Sequence, residues 1–111
     1  MRRGDLRRAL SLVRRRTHRG ETLRVRLMER PDCELCAEAH RALRRIALDR
    51  PIEIERVDIS AGPDLVQDRY LLRIPVLVSG GEELDAAGLE DGAIARWLNG
   101  LAPLGHDPQR G

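Results

Sequence analysis

Cys33 and Cys36 stand where an alternating apolar pattern gives way to a helical one, and that junction limits the fold more than any other feature. Upstream, Leu23, Val25 and Leu27 alternate with Arg24 and Arg26, the period-two signature of a strand that Pro31 ends. Downstream, Leu35, Ala39, Leu43 and Ile46 recur at helical spacing, continuing to Leu48, with Asp32 placed to cap the helix. Alternation returns after Pro51 through Ile52, Ile54, Val57 and Ile59 and stops at Ser60-Ala61-Gly62-Pro63. A strand, a helix and a strand of these lengths predict a parallel pair joined by a right-handed crossover.

Pro63 is suited to start a short helix through Leu65, Val66 and Tyr70. Pro75-Val76-Leu77-Val78 then reads as a buried strand, Gly80-Gly81 as a hairpin turn and Glu82-Glu83-Leu84 as its antiparallel return. Gly88 opens the last element, a helix with Leu89, Ile94, Trp97 and Leu98 as its apolar stripe and Gly100 as its stop. The order is β-α-β-α-β-β-α, an α/β chain. Its 111 residues suffice for one hydrophobic core, which places a single domain at 21–100 between a leader, 1–20, and a loose tail, 101–111. Phe is absent, so the core must be aliphatic around Tyr70 and Trp97, and an aromatic platform for stacking bases is not expected.

Charge is divided along the chain. All twenty basic side chains are Arg. Residues 1–20 carry eight of them against Asp5 alone, a net of +7, whereas residues 21–111 carry twelve against seventeen acidic groups, a net of −5. The leader therefore reads as a solvated arm. It suits an anionic partner such as a nucleic acid, an anionic membrane surface or an acidic protein, with a plain disordered tail as the alternative. No apolar stretch is long enough for a membrane span, and Ala9-Leu10-Ser11-Leu12-Val13 is too short for a secretory signal. The expected location is cytoplasmic.

In that compartment two cysteines this close read as catalytic or metal-binding rather than structural. A helix that begins near Cys33 sets its sulfur among free backbone N–H groups at the positive end of the helix dipole, which favours a thiolate. Cys36 falls one turn further in and more buried. Cys33 is thus the expected nucleophile and Cys36 the resolving thiol of a thiol–disulfide oxidoreductase. Arg30 adds positive charge beside the pair, and Glu34 opposes it.

The run Leu27-Met28-Glu29-Arg30-Pro31-Asp32-Cys33-Glu34-Leu35-Cys36, the strand end Val57-Asp58-Ile59 and the segment Arg69-Tyr70-Leu71-Leu72-Arg73-Ile74-Pro75-Val76-Leu77 resemble the bacterial glutaredoxin-like proteins of the thioredoxin superfamily, over residues 22–99. The resemblance implies a thioredoxin-like, glutaredoxin-type fold: a four-stranded mixed sheet with flanking helices. It implies that Pro75 follows a cis bond and packs against the cysteine pair, while the backbone at Arg73 and Ile74 pairs with a bound substrate chain. It also implies a glutathione site. Arg30 holds the basic position three before the first cysteine, and Ala87-Gly88-Leu89-Glu90-Asp91 stands where the family has Gly-Gly-x-Asp-Asp. Gly88, Glu90 and Asp91 are then the contacts for a carboxylate at a helix start. The expected partners are a disulfide-containing protein or glutathione, the latter as co-substrate, and a reductase as electron donor. No resident cofactor or metal is expected.

Other readings of the same residues stay open. Cys33, Cys36 and His40 have the spacing C-x2-C-x3-H on one helix face, a partial zinc set without an evident fourth ligand. An iron–sulfur cluster bridging two protomers is another. A redox-inert binding module that keeps the fold as a scaffold is a third.

Overall fold

The computed structural model describes residues 22–101; the Arg-rich leader and residues 102–111 of the tail lie outside them. Alternation decides the first strand, β1 (Leu23–Glu29), in which Leu23, Val25 and Leu27 are sealed on one face and Arg24 and Arg26 stand exposed on the other. A turn through Pro31 and a left-handed Asp32 (φ 60°) leads into helix α1 (Glu34–Ile46). Strand β2 (Ile52–Asp58) then runs parallel to β1, with Leu23 opposite Ile52 and Glu29 opposite Asp58.

A 3-10 turn (Ile59–Ala61) and the short helix α2 (Asp64–Tyr70), with Pro63 at its N-cap, carry the chain to the other side. Strand β3 (Val76–Ser79) pairs antiparallel with β1, and β4 (Glu82–Asp85) folds back along it. The turn between them needs positive φ at both Gly80 (56°) and Gly81 (84°), a conformation glycine adopts without a Cβ clash. Helix α3 (Asp91–Asn99) closes the domain. The sheet order is β2-β1-β3-β4, a mixed four-stranded sheet with flanking helices, the thioredoxin-like arrangement. Among the described residues no helix is long and apolar enough to cross a membrane.

Each sheet face has its own core. Leu23, Val25, Leu27 and Leu77 pack with Ala39, Ala42 and Leu43 of α1 and with Ile94 and Leu98 of α3. On the other face Met28 and Val76 pack with Ile59 and Tyr70. There the Tyr70 hydroxyl donates to Glu83 at 2.6 Å, and Arg69 and Arg73 each add an ion pair to the same carboxylate. Both guanidinium groups lie 5.5 Å from the Tyr70 ring centre. The tyrosine bond leads the two arginines in holding the Glu83 carboxyl at about 2. Elsewhere the paired Arg24–Glu53 and Arg26–Glu55 side chains are exposed, and pairs of this kind contribute at most about 1 kcal/mol each.

Several local expectations are corrected. Asp32 does not cap α1; Cys33 does, because Asp32 takes the left-handed conformation one residue too early. Leu35 points outward, 46% exposed, and the inward stripe is Cys36, Ala39, Ala42 and Leu43. Small Ala and Cys side chains allow α1 to lie close on the sheet, a face that counting large apolar residues does not reveal. Leu89 precedes α3 instead of belonging to its stripe, and Leu65 of α2 is 83% exposed.

Truncating Leu43, which is fully buried, should cost about 2–5 kcal/mol in Leu43→Ala, read as a shift in the urea midpoint with the disulfide state fixed. A loss under about 1 kcal/mol would contradict the packing described. Because Glu83 is held below its ordinary value of 4.5, the folded chain binds fewer protons there than the unfolded one. Its contribution is present above that value and lost as pH falls toward about 2. Glu83→Gln should therefore lose less stability than the parent across this acid range, and equal losses would contradict the cluster's role.

Candidate active site

The two cysteines form a disulfide, with their Cα atoms 5.2 Å apart. Cys33 is the N-cap of α1 in extended conformation (φ −105°, ψ 105°), and its Sγ accepts the Cys36 backbone N–H at 3.2 Å. The Cys33 sulfur thus occupies the place a Ser or Asp oxygen takes in an ordinary helix cap. Cys33 is partly exposed, whereas Cys36, in the first turn of the same helix, is 1% exposed. One backbone feature, the start of α1, therefore places one sulfur at the helix N-terminus and the other out of reach of solvent.

A cleft of ≈ 590 Å³ opens at Cys33, lined by Glu29, Arg30, Pro31, Asp32, Glu34, Ala37, Arg56 and Asp58. Beneath it lies a charged pair. Arg56 donates to both oxygens of Glu29, at 2.6 and 2.9 Å, and the Glu29 side chain is only 10% exposed. The period of two explains this: Glu29 shares the inward parity of Leu23, Val25 and Leu27, and Arg56 that of Ile52 and Ile54. A carboxylate this buried needs its bidentate partner, and Arg56 supplies it from the neighbouring strand. These residues are absent from the expectations above. Their signal in the sequence is charge at inward strand positions.

His40 stands one turn beyond Cys36 and is partly buried. Burial holds its imidazole below the usual histidine range, Arg56 and Arg44 add to that effect, and Glu29 opposes it. Among the described residues no group of three or more His, Cys, Asp or Glu side chains is placed to hold a metal ion, and the sulfurs of Cys33 and Cys36 are joined to each other.

Of the residues expected around the pair, Arg30 lines the cleft with Cys33. The Ile74–Pro75 bond is cis, and Pro75 leads into β3 at the end of the sheet where β1 stops, since Met28 pairs with Val76. Arg73 is turned away into ion pairs with Asp85 at 2.8 Å and Glu83 at 3.1 Å. Gly88 takes a positive φ of 74° in the turn before α3. Glu90 is the N-cap of α3 and makes no side-chain cap bond. Asp91 is held by both nitrogens of Arg45, at 2.6 and 2.9 Å. Arg45 lies in the last turn of α1, about 18 Å along the helix axis from Cys33 at ~1.5 Å per residue. Gly88, Glu90 and Asp91 thus do not line the Cys33 cleft.

A cysteine pair joined as a disulfide, with one sulfur at a helix start and the other enclosed, is consistent with a thiol–disulfide redox role. No curated protein matches the chain. The family model for the Glutaredoxin-like domain (DUF836) matches residues 24–99. That span runs from the second residue of β1 to the end of α3 and takes in the whole redox site, so the chain belongs to the glutaredoxin-like domain family.

Proposed function

We propose that the chain is an oxidoreductase that reduces disulfides by dithiol exchange, acting on protein disulfides in preference to glutathione mixed disulfides. The observation that carries this reading is the asymmetry of the pair, with Cys33 at the cleft and Cys36 sealed behind it. In the reduced chain the Cys33 thiolate attacks one sulfur of the substrate disulfide. That S–S bond breaks, the distal sulfur leaves as a thiolate and takes up a proton, and a mixed disulfide remains. Cys36, as thiolate, then attacks Cys33 Sγ, the second substrate sulfur leaves, and the Cys33–Cys36 bond closes. Two electrons pass to the substrate. A reductase or glutathione restores the dithiol, in a reducing cytoplasm.

The preference for proteins is supported by how the charges are engaged. Asp91, one of the groups the family resemblance offers to glutathione, is held by Arg45, and the Arg73 side chain beside the substrate-pairing backbone is engaged by Asp85 and Glu83. The carboxylates of Asp32, Glu34 and Asp58 line the Cys33 cleft and oppose a ligand that carries two carboxylates of its own. Arg30, beside Cys33, supports a second reading in which it holds one glutathione carboxylate.

Cys33→Ser should abolish reduction of a model protein disulfide, and Cys36→Ser should accumulate a mixed disulfide visible as a mass increase; activity retained in Cys33→Ser would overturn the mechanism. The parent chain should act faster on the protein disulfide than on a glutathionylated peptide. The reverse order would select the glutathione reading.

A further inference from the structure

Cys36 presents a chemical problem that the exchange mechanism leaves unsolved. To resolve the mixed disulfide its thiol must lose a proton, yet it is 1% exposed, so bulk base has little access. Burial in addition disfavours the charged thiolate. The helix-start amides that favour a thiolate face Cys33, whose Sγ takes the Cys36 N–H. A proton acceptor is needed inside the domain, on the covered side of α1.

We propose that His40 is that acceptor, taking the proton from Cys36 directly or through one water in the resolving step. The inference rests on the exchange reading above. Residues four apart on a helix stand over one another with Cβ atoms about 5–6 Å apart. Helical side chains lean toward the N-terminus, a tendency that directs the His40 side chain toward the turn that carries Cys36. Its ring makes no hydrogen bond among the described residues, which leaves a nitrogen free to accept.

The surroundings favour His40 over the other basic groups. Glu29 is the nearer-looking base from its burial, but both its oxygens are taken by Arg56. The charged groups that act on the His40 ring are Arg56 from β2, Glu29 from β1 and Arg44 from α1 itself. Burial and the two arginines outweigh Glu29 and keep the imidazole neutral at neutral pH, the form that can accept. The step balances. The Cys36 S–H proton passes to imidazole nitrogen, the thiolate forms the bond to Cys33 Sγ, the substrate sulfur departs with the electron pair, and imidazolium returns the proton to that leaving thiolate.

The test is a rapid-mixing experiment on the full, pre-reduced chain with one equivalent of a chromogenic aromatic disulfide. A first thiolate release reports Cys33 attack and a second reports Cys36. In the parent the second phase should rise with pH along a midpoint below about 6.5 and then level off. In His40→Gln that phase should slow by about 100-fold or more at neutral pH and follow only the thiol's own ionisation, with the first phase within about twofold. Added imidazole should restore part of the lost rate. An unchanged second phase, or both phases slowed alike, would overturn the proposal. Should His40→Gln not fold, the parent's profile decides: a second phase that follows only a thiol midpoint near or above about 8.5 overturns it. Absence of any release would overturn the exchange reading, and this inference with it.

Discussion

The hydrogen bond from the Cys36 amide to Cys33 Sγ is the constraint on which the rest of the site depends. A cap made of sulfur ties Cys33 Sγ to the helix axis, so whatever fixes α1 fixes the sulfur proposed as the nucleophile. Helix α1 is fixed by Ala39, Ala42 and Leu43 against Leu23, Val25 and Leu27, all nearly inaccessible to solvent. Stability and reactivity are therefore linked through one element. The electrostatic gain at a helix start is about 0.3–2 kcal/mol, depending on exposure. At about 1.4 kcal/mol per pKa unit it suffices to move a thiol by a fraction of a unit to more than one unit.

The charges around this helix separate into two groups with different tasks. Arg73, Glu83, Asp85 and Tyr70 form a closed network on the α2 face, and Asp91 is joined to Arg45 between α1 and α3. These interactions hold elements together and leave their members little freedom to receive a ligand. Glu29 and Arg56, by contrast, lie beneath the reactive cleft on the face that α1 covers. There the buried Glu29 and the exposed Arg56 neutralise each other, and Arg56 adds a cation whose charge acts on His40.

Much of the fold was legible because the strands obey a period of two and the turns carry their own chemistry. Leu23, Val25 and Leu27 announce β1, Gly80-Gly81 the hairpin, and the Cys33–Cys36 spacing a helix start. The inward face of α1 was less legible, since it is built from Cys36, Ala39 and Ala42 rather than from large apolar residues. Likewise the partners of Arg73 and Asp91 are out of reach of sequence reasoning: Asp85 and Arg45 meet them through pairings 12 and 46 residues apart. Glu29 was detectable in principle as an acidic residue at an inward strand position.

The most direct measurement is the pH dependence of alkylation of the reduced chain, with Cys33 identified as the modified residue by peptide mapping. A cysteine that caps α1 should show a midpoint below the value of about 8.5 for a free thiol. A midpoint at or above that value, with slow modification at neutral pH, would contradict the claim that the helix start activates Cys33.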